Sequence, residues 1–287
     1  MSLSEHPRDP AANPLPPVIV TGSLSPEDAA ALARAVDQLE HKSFAVRIAN
    51  AFGSEIERFG RMLPHNVTTI VDRAVEGAIR TAFTATLRTL RPSALTDQRG
   101  LHKAAVTLSG TLGGAFGIAT LPVELPFSIM VMLRSIAAIA RASGEDLSQP
   151  EAALACLQVF ALGAARDDQL AMESSYFSVR SILAKSVSEA ARFVINRGVT
   201  DEGAPVVARL IGQIAARFGV VVSDKLAAQA VPLIGAAGGG AINFAFIDHF
   251  QSVAQGHFTV RRLERIYGQT LVRAEYDRLL AQKNAKN

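Results

Sequence analysis

The chain has no tryptophan, three tyrosines and one cysteine in 287 residues, and aromatic side chains make up 6% of it. Each scarcity excludes something. A lone cysteine forms no intrachain disulfide and builds no cysteine-rich zinc site. So few rings offer little for nucleic-acid bases to stack on, and a net charge of +3 is too small for a phosphate-tracking surface, so nucleic acid is not an expected partner. Charge of either sign is short as well: 19% of residues are Asp, Glu, Lys or Arg, against roughly a quarter in an average soluble domain. Aliphatic mass fills the difference. Apolar residues reach 49% and mean hydropathy is +0.22, which excludes wholesale disorder and suits close packing between helices. Four enzyme signatures are also missing from the sequence: the phosphate loop GxxxxGK[ST], the dinucleotide fingerprint GxGxxG, the nucleophile elbow GxSxG and the zinc-protease HExxH.

Residues 1–24 hold Pro7, Pro10, Pro14, Pro16 and Pro17 among small and polar side chains, with no export-signal core, and are expected to be a disordered leader. Order begins at Ser25-Pro26-Glu27-Asp28, where a capping serine, a proline at the first helical position and two carboxylates suit the positive end of a helix. From there the apolar spacing is helical. Leu32, Val36 and Leu39 are followed by Ile48, Phe52, Ile56 and Phe59, and then by Val67, Ile70, Val71, Ala74 and Ile79. Ser148-Gln149-Pro150-Glu151 has the form of a capping box leading into a helix to Gly163, and a further helical face spans Ser174 to Asn196. Val220-Val221-Val222 continues the pattern of Leu210, Ile214 and Phe218, so it is assigned to the end of a helix rather than to a strand. The expected fold is an all-α multi-helix bundle, one domain over residues 25–281, with a flexible tail at 282–287.

Two stretches, Ala104 to Val123 and Leu226 to Ile247, contain no charged residue, and each reaches the roughly 20 residues that cross a bilayer as a helix. Both are rich in Gly and Ala. Gly110 with Gly114 and Gly113 with Gly117 are spaced by four, and Gly235, Gly239 and Asn243 share one face, a pattern that lets two helix backbones approach closely. Pro122, Pro126 and Pro232 interrupt the apolar runs, Gly238 to Gly240 are a candidate break, and the arm from Leu125 stops at Arg134. Two readings therefore stand side by side. The stretches are either the two central helices of a soluble bundle, apolar all round, or a glycine-zipper hairpin in contact with a membrane.

Charge is uneven along the chain. Residues 257–287 carry seven basic and three acidic side chains. Arg261, Arg262, Arg265 and Arg273 lie on an amphipathic helix that fits an anionic lipid surface or a docked terminal helix with a solvated face. Polar residues among the apolar helices are candidates for a site: Glu124 between two prolines, Arg134, Lys225, Gln229, Asn243, Asp248, His249 and His257. His249 and His257 are two turns apart, too far to share one metal on a continuous helix, and Asp248 points about 100° from His249. No metal site and no cofactor is expected. An interior hydrogen-bonded cluster, with Glu124 paired to Arg134 or Lys225, is the simpler account of these groups. Cys156, among Leu154, Leu157 and Phe160, is expected in the core.

Several blocks in order resemble the EcsC family. They are Leu39-Glu40-His41, the Gly110–Gly117 run into Leu121-Pro122-Val123-Glu124-Leu125-Pro126, Met132 to Ala137, Gly144-Glu145-Asp146, Cys156 to Gly163, Arg217 to Ser223, and Gln229 through Asp248-His249-Phe250-Gln251 to Glu264. The family takes its name from a protein encoded beside the subunits of an ABC transporter. The resemblance implies a membrane-linked accessory role and supplies no catalytic residue. The expected function is a membrane-associated accessory or scaffold protein, cytoplasmic and peripheral or shallowly inserted at the inner membrane, with a lipid surface and an ABC transporter or other membrane complex as partners. Two alternatives remain: a hydrolase-like enzyme with a site around Glu124, Asp248, His249 and His257, and a soluble helical interaction protein.

Overall fold

A computed structural model describes residues 22–40, 44, 48, 65–89, 121–164, 175–197, 205–229 and 235–286. The leader at 1–21, the glycine run at 110–117, and the segments around Phe52, Ile56 and Phe59 lie outside the described residues. Among the described residues all regular structure is α-helical, in eight helices. They are α1 (Pro26–Leu39), α2 (His65–Thr89), α3 (Leu121–Ala142), α4 (Pro150–Leu162), α5 (Ser175–Arg197), α6 (Pro205–Gln229), α7 (Gly235–Tyr267) and α8 (Gln269–Asn284).

Local chemistry sets several of the boundaries. Ser25 caps α1, its hydroxyl accepting from the Asp28 N–H, with Pro26 opening the helix as the sequence predicts. Before α4 the expected box does not form. Gln149 occupies the cap position without a side-chain bond, because Asp146 takes the Ser148 hydroxyl at 2.6 Å and its N–H at 3.0 Å. Val220 to Val222 lie within α6, which continues to Gln229. The uncharged stretch from Leu226 to Ile247 is not one helix. Leu226 to Gln229 finish α6 and Gly235 opens α7, while Pro232 lies outside the described residues. Gly238 to Gly240 are helical, so no break occurs there. Helix α3 carries Pro126 inside its second turn and runs past Arg134, which is exposed, to Ala142.

Helix α4 is buried from Ala152 to Leu162 on every side and touches α2, α3, α5, α6 and α7, so it needs no polar face. Helix α7 is the long strut. Its 33 residues reach about 50 Å, packing on α1, α3, α4, α6 and α8. Rings knit these helices together: Phe250 meets Phe160 of α4 and Phe218 of α6 at 5.6 and 5.3 Å, and Phe246 meets Phe44 at 5.4 Å. Two glycines admit close contacts. A Cβ on Gly163 would lie 2.4 Å from the Phe250 ring, and one on Gly256 2.7 Å from Leu39 and 3.2 Å from the Ala35 carbonyl. Gly268, at φ 85°, turns the chain between α7 and α8.

Candidate functional site

The residues expected to form a catalytic cluster occupy separate environments. His249 is buried in the aromatic layer, where Nε2 meets the Gly163 carbonyl at 2.7 Å and the ring lies against Phe44 and Phe250. His257 is two turns further along α7, about 12 Å by helical rise, with Nδ1 3.0 Å from the Tyr176 hydroxyl of α5. Asp248 is half-buried with partners of its own. Glu124 falls in α3, and its side chain lies outside the described residues, as does that of Gln229. Lys225 is buried with its ammonium 5.1 Å from the Phe246 ring centre. Asn243 is fully buried on α7, the helix that also carries Gly235 and Gly239. Among the described residues no three His, Cys, Asp or Glu side chains converge as metal ligands.

The polar groups that do converge are others. Arg180 of α5 forks onto Glu264 of α7 at 2.8 and 2.6 Å and also donates to the Tyr176 oxygen at 3.3 Å. With Arg180 as donor, the phenol proton is free to go to His257 Nδ1, which leaves the imidazole proton on Nε2; that nitrogen has no hydrogen-bond partner among the described residues. One turn on, Glu145 accepts two bonds from Arg261 at 2.8 and 2.9 Å and a third from Arg265, which also donates to the Ser143 carbonyl. Asp28 accepts from Arg262 at 2.9 Å and from Tyr267 at 2.8 Å. Glu40 accepts from the Tyr276 hydroxyl and the Tyr176 N–H, and Lys283 reaches the Glu40 carbonyl and Asp37.

This layer binds helices and is a poor acid-base device. Burial, with the charges of Arg261 and Arg180, holds His257 well below its ordinary range, so it is neutral near pH 7. Burial pushes the Tyr176 hydroxyl up to about 12 against the pull of Arg180. Burial alone raises the Glu145 carboxyl, but the bonds and charge of Arg261, joined by Arg265, hold it below the usual carboxylate range. None of the three changes charge near neutrality, where a general acid or base is most effective. Cys156, fully buried and pushed up to about 12 chiefly by burial, is no nucleophile.

The arginines expected at a lipid surface form ion pairs within the chain while keeping part of their side chains in solvent, 36% for Arg262 and 41% for Arg265. Arg261, Arg262 and Arg265 pair with Glu145, Asp28 and Glu145. Arg273 keeps half of its side chain in solvent, near Asp277 and over the Phe177 ring. A groove of about 370 Å³ between α1 and α8, lined by Val36, Asp37, Leu279, Lys283 and Lys286 among others, contains none of the expected site residues.

The apolar helices beside this layer differ from it. Two segments among the described residues are long and apolar enough to cross a membrane, Leu125–Ala142 in α3 and Pro205–Leu226 in α6, with 56% and 50% of their residues buried. Gln251 bonds Ser135, and Arg261 bonds Glu145 just beyond the end of α3, both pairs 116 residues apart, so α3 and α7 run in the same direction and in step. The same offset sets Phe127 level with residue 243, beside Phe244; these two rings are 49% and 47% exposed. Lys225 above Phe246 brings α6 to this level, and the approach of Gly219 to Asp72 brings α2. Val220 and Ile70, within a turn of those contacts, are exposed as well. Sequence periodicity places Ile70, Val220, Arg261, Arg262 and Arg265 on helices but does not show what each meets across the fold. The one local signal was Tyr176 with Arg180, a ring and a cation four apart on an otherwise apolar helix face.

The EcsC protein family model matches residues 25–263. No curated protein and no solved structure matches the chain.

Proposed function

The chain belongs to the EcsC protein family, and we propose that it works as a non-catalytic helical accessory protein on the cytoplasmic face of a membrane, serving a membrane complex such as an ABC transporter. The observation that carries this reading is the pair of bilayer-length apolar segments in α3 and α6 whose residues are only about half buried by the rest of the fold. Unlike α4, which is buried on every side, α3 and α6 leave Phe127 and Val220 exposed, apolar surface that water solvates poorly. The polar layer supports the non-catalytic part, since its ionisable groups are paired or held away from neutral titration.

Fractionation of cells expressing the full chain, followed by an alkaline carbonate wash, tests the reading. The protein is expected in the membrane fraction and is expected to be released by carbonate. Recovery wholly in the soluble fraction at low salt, with no binding to liposomes, would overturn it and leave the soluble interaction protein. Retention after carbonate would instead show a crossing.

A further inference from the structure

We infer that α8 is a strap that swings open as a unit about Gly268 while the bundle beneath it stays folded, and that it governs the access of water to the polar layer. The inference is independent of the membrane reading. Within α8 Val272 and Tyr276 are the buried residues, with partial cover from Leu271, Leu279 and Leu280, whereas α4 is buried from Ala152 to Leu162. A terminal helix with so little apolar cover belongs to the low end of local stability.

Its main anchor is one ring. Tyr276 stacks on Tyr176 at 5.7 Å, meets Phe177 edge-on at 5.0 Å and donates its hydroxyl to Glu40. Two turns on, Lys283 donates to the Glu40 carbonyl and pairs with Asp37, whose side chain is 70% exposed, so water competes for that pair. Arg273 lies over Phe177 with half of its side chain in solvent. The pairs Arg273–Asp277 and Glu275–Arg278 lie within α8 and travel with it.

The joint suits the motion. Gly268 holds φ 85° and ψ 150°, a conformation nearly confined to glycine, and a Cβ there would meet nothing within 4 Å. The turn is therefore set by the backbone and is not wedged by neighbours, and no side-chain bond caps the first turn of α8. The seams beneath hold without the strap: Asp28 bonds Arg262 and Tyr267, Gln38 bonds Gln255, and Arg180 joins α5 to Glu264 of α7. Opening takes from Phe177 and Tyr176 the ring that covers them, and the Tyr176 hydroxyl is the group that meets His257.

The single cysteine supplies an internal standard. Cys156 is fully buried in α4, so its thiol reports unfolding of the bundle. Val272→Cys, a small change at a fully buried position, sets a second thiol under the strap. Full-length V272C protein is treated with excess iodoacetamide at several low urea concentrations, and each site is followed by peptide mass spectrometry. The introduced thiol is expected to be labelled at least about a hundredfold faster than Cys156, with a weaker urea dependence, because opening exposes less surface than unfolding does. Equal rates with equal urea dependence would overturn the inference, since α8 would then leave only with the whole bundle.

Hydrogen exchange of the unmodified chain makes the same comparison without a substitution. Amides from Val272 to Lys283 are expected to exchange together, well before those of α4. Equal protection in α8 and α4 would overturn the strap whatever the variant does. Protection that rises steadily from Asn284 through α8 into α7, with no step at Gly268, would show fraying from the end and would overturn it as well.

Discussion

Where α7 approaches α8, charged side chains turn inward: Glu145, Arg261, Arg180 and Glu264 bond one another beneath the surface. At the other end of the same helix, Phe244 and its neighbour Phe127 turn outward. The usual order, apolar inside and charged outside, is thus inverted in part at both ends. The buried pairs are bidentate and satisfied, which is the condition under which interior charge is tolerated. The two rings keep about half of their surface in solvent, and that contrast separates the two regions.

The largest effect is expected at the charged end. Glu145→Ala leaves Arg261 and Arg265 without their carboxylate and should lower unfolding free energy by about 3 kcal/mol, the low end for a broken buried pair because 24% of the Arg261 side chain stays in solvent. Denaturant midpoints measure it. A variant as stable as the parent would show the pair to be ornamental. The same carboxyl gives a pH signature. With its pKa depressed in the folded state, its stabilisation is complete above the ordinary glutamate range and is lost as pH falls through that range towards the folded value.

Second is the aromatic layer between the two ends. Gly163→Ala drives a methyl into the Phe250 ring and should destabilise by about 1–3 kcal/mol. A crystal structure or thermal melt showing the ring accommodated at no loss would mean that this layer is looser than its contacts indicate.

Third, His257 should make stability fall with acid before any carboxylate titrates. Its folded pKa is depressed, so below about 6.5 the unfolded chain binds a proton that the folded chain refuses, and the slope approaches about 1.4 kcal/mol per pH unit. His257→Phe is expected to abolish that slope between pH values of about 6.5 and 5. An unchanged slope would assign it to another group.

Smallest is the stability change at the exposed rings. Phe127→Ser or Phe244→Ser should cost about 1 kcal/mol or less each in chemical denaturation. A loss as large as that of Glu145→Ala would turn the rings into core and remove the contrast between the ends.

Helix content was legible from spacing because each turn repeats its own burial pattern. Ser25 and Pro26 announced α1, and Val220 to Val222 fitted the helix they belong to. Contacts made across the fold were not legible. Periodicity places Arg261 on a polar helix face, but it does not show that Glu145, 116 residues away, bonds it. Ser148 looked like a cap because the pattern S-x-x-E is local, whereas Asp146 competes for the hydroxyl from two residues behind. The close approaches of the isolated Gly163 and Gly256 were not legible either, because their significance depends on a ring and a carbonyl supplied by other helices.

The first helix is held by the last two. Asp28 waits for Arg262, Glu40 for Tyr276, and the Glu40 carbonyl for Lys283, over separations of 234 to 243 residues. At about 5–20 residues per second of synthesis, α1 remains without these anchors for roughly 12 to 50 s after it is made. Its apolar stripe of Leu32, Val36 and Leu39 lacks its cover from α7 and α8 for that interval, so final closure of the bundle is a late event in the life of the nascent chain.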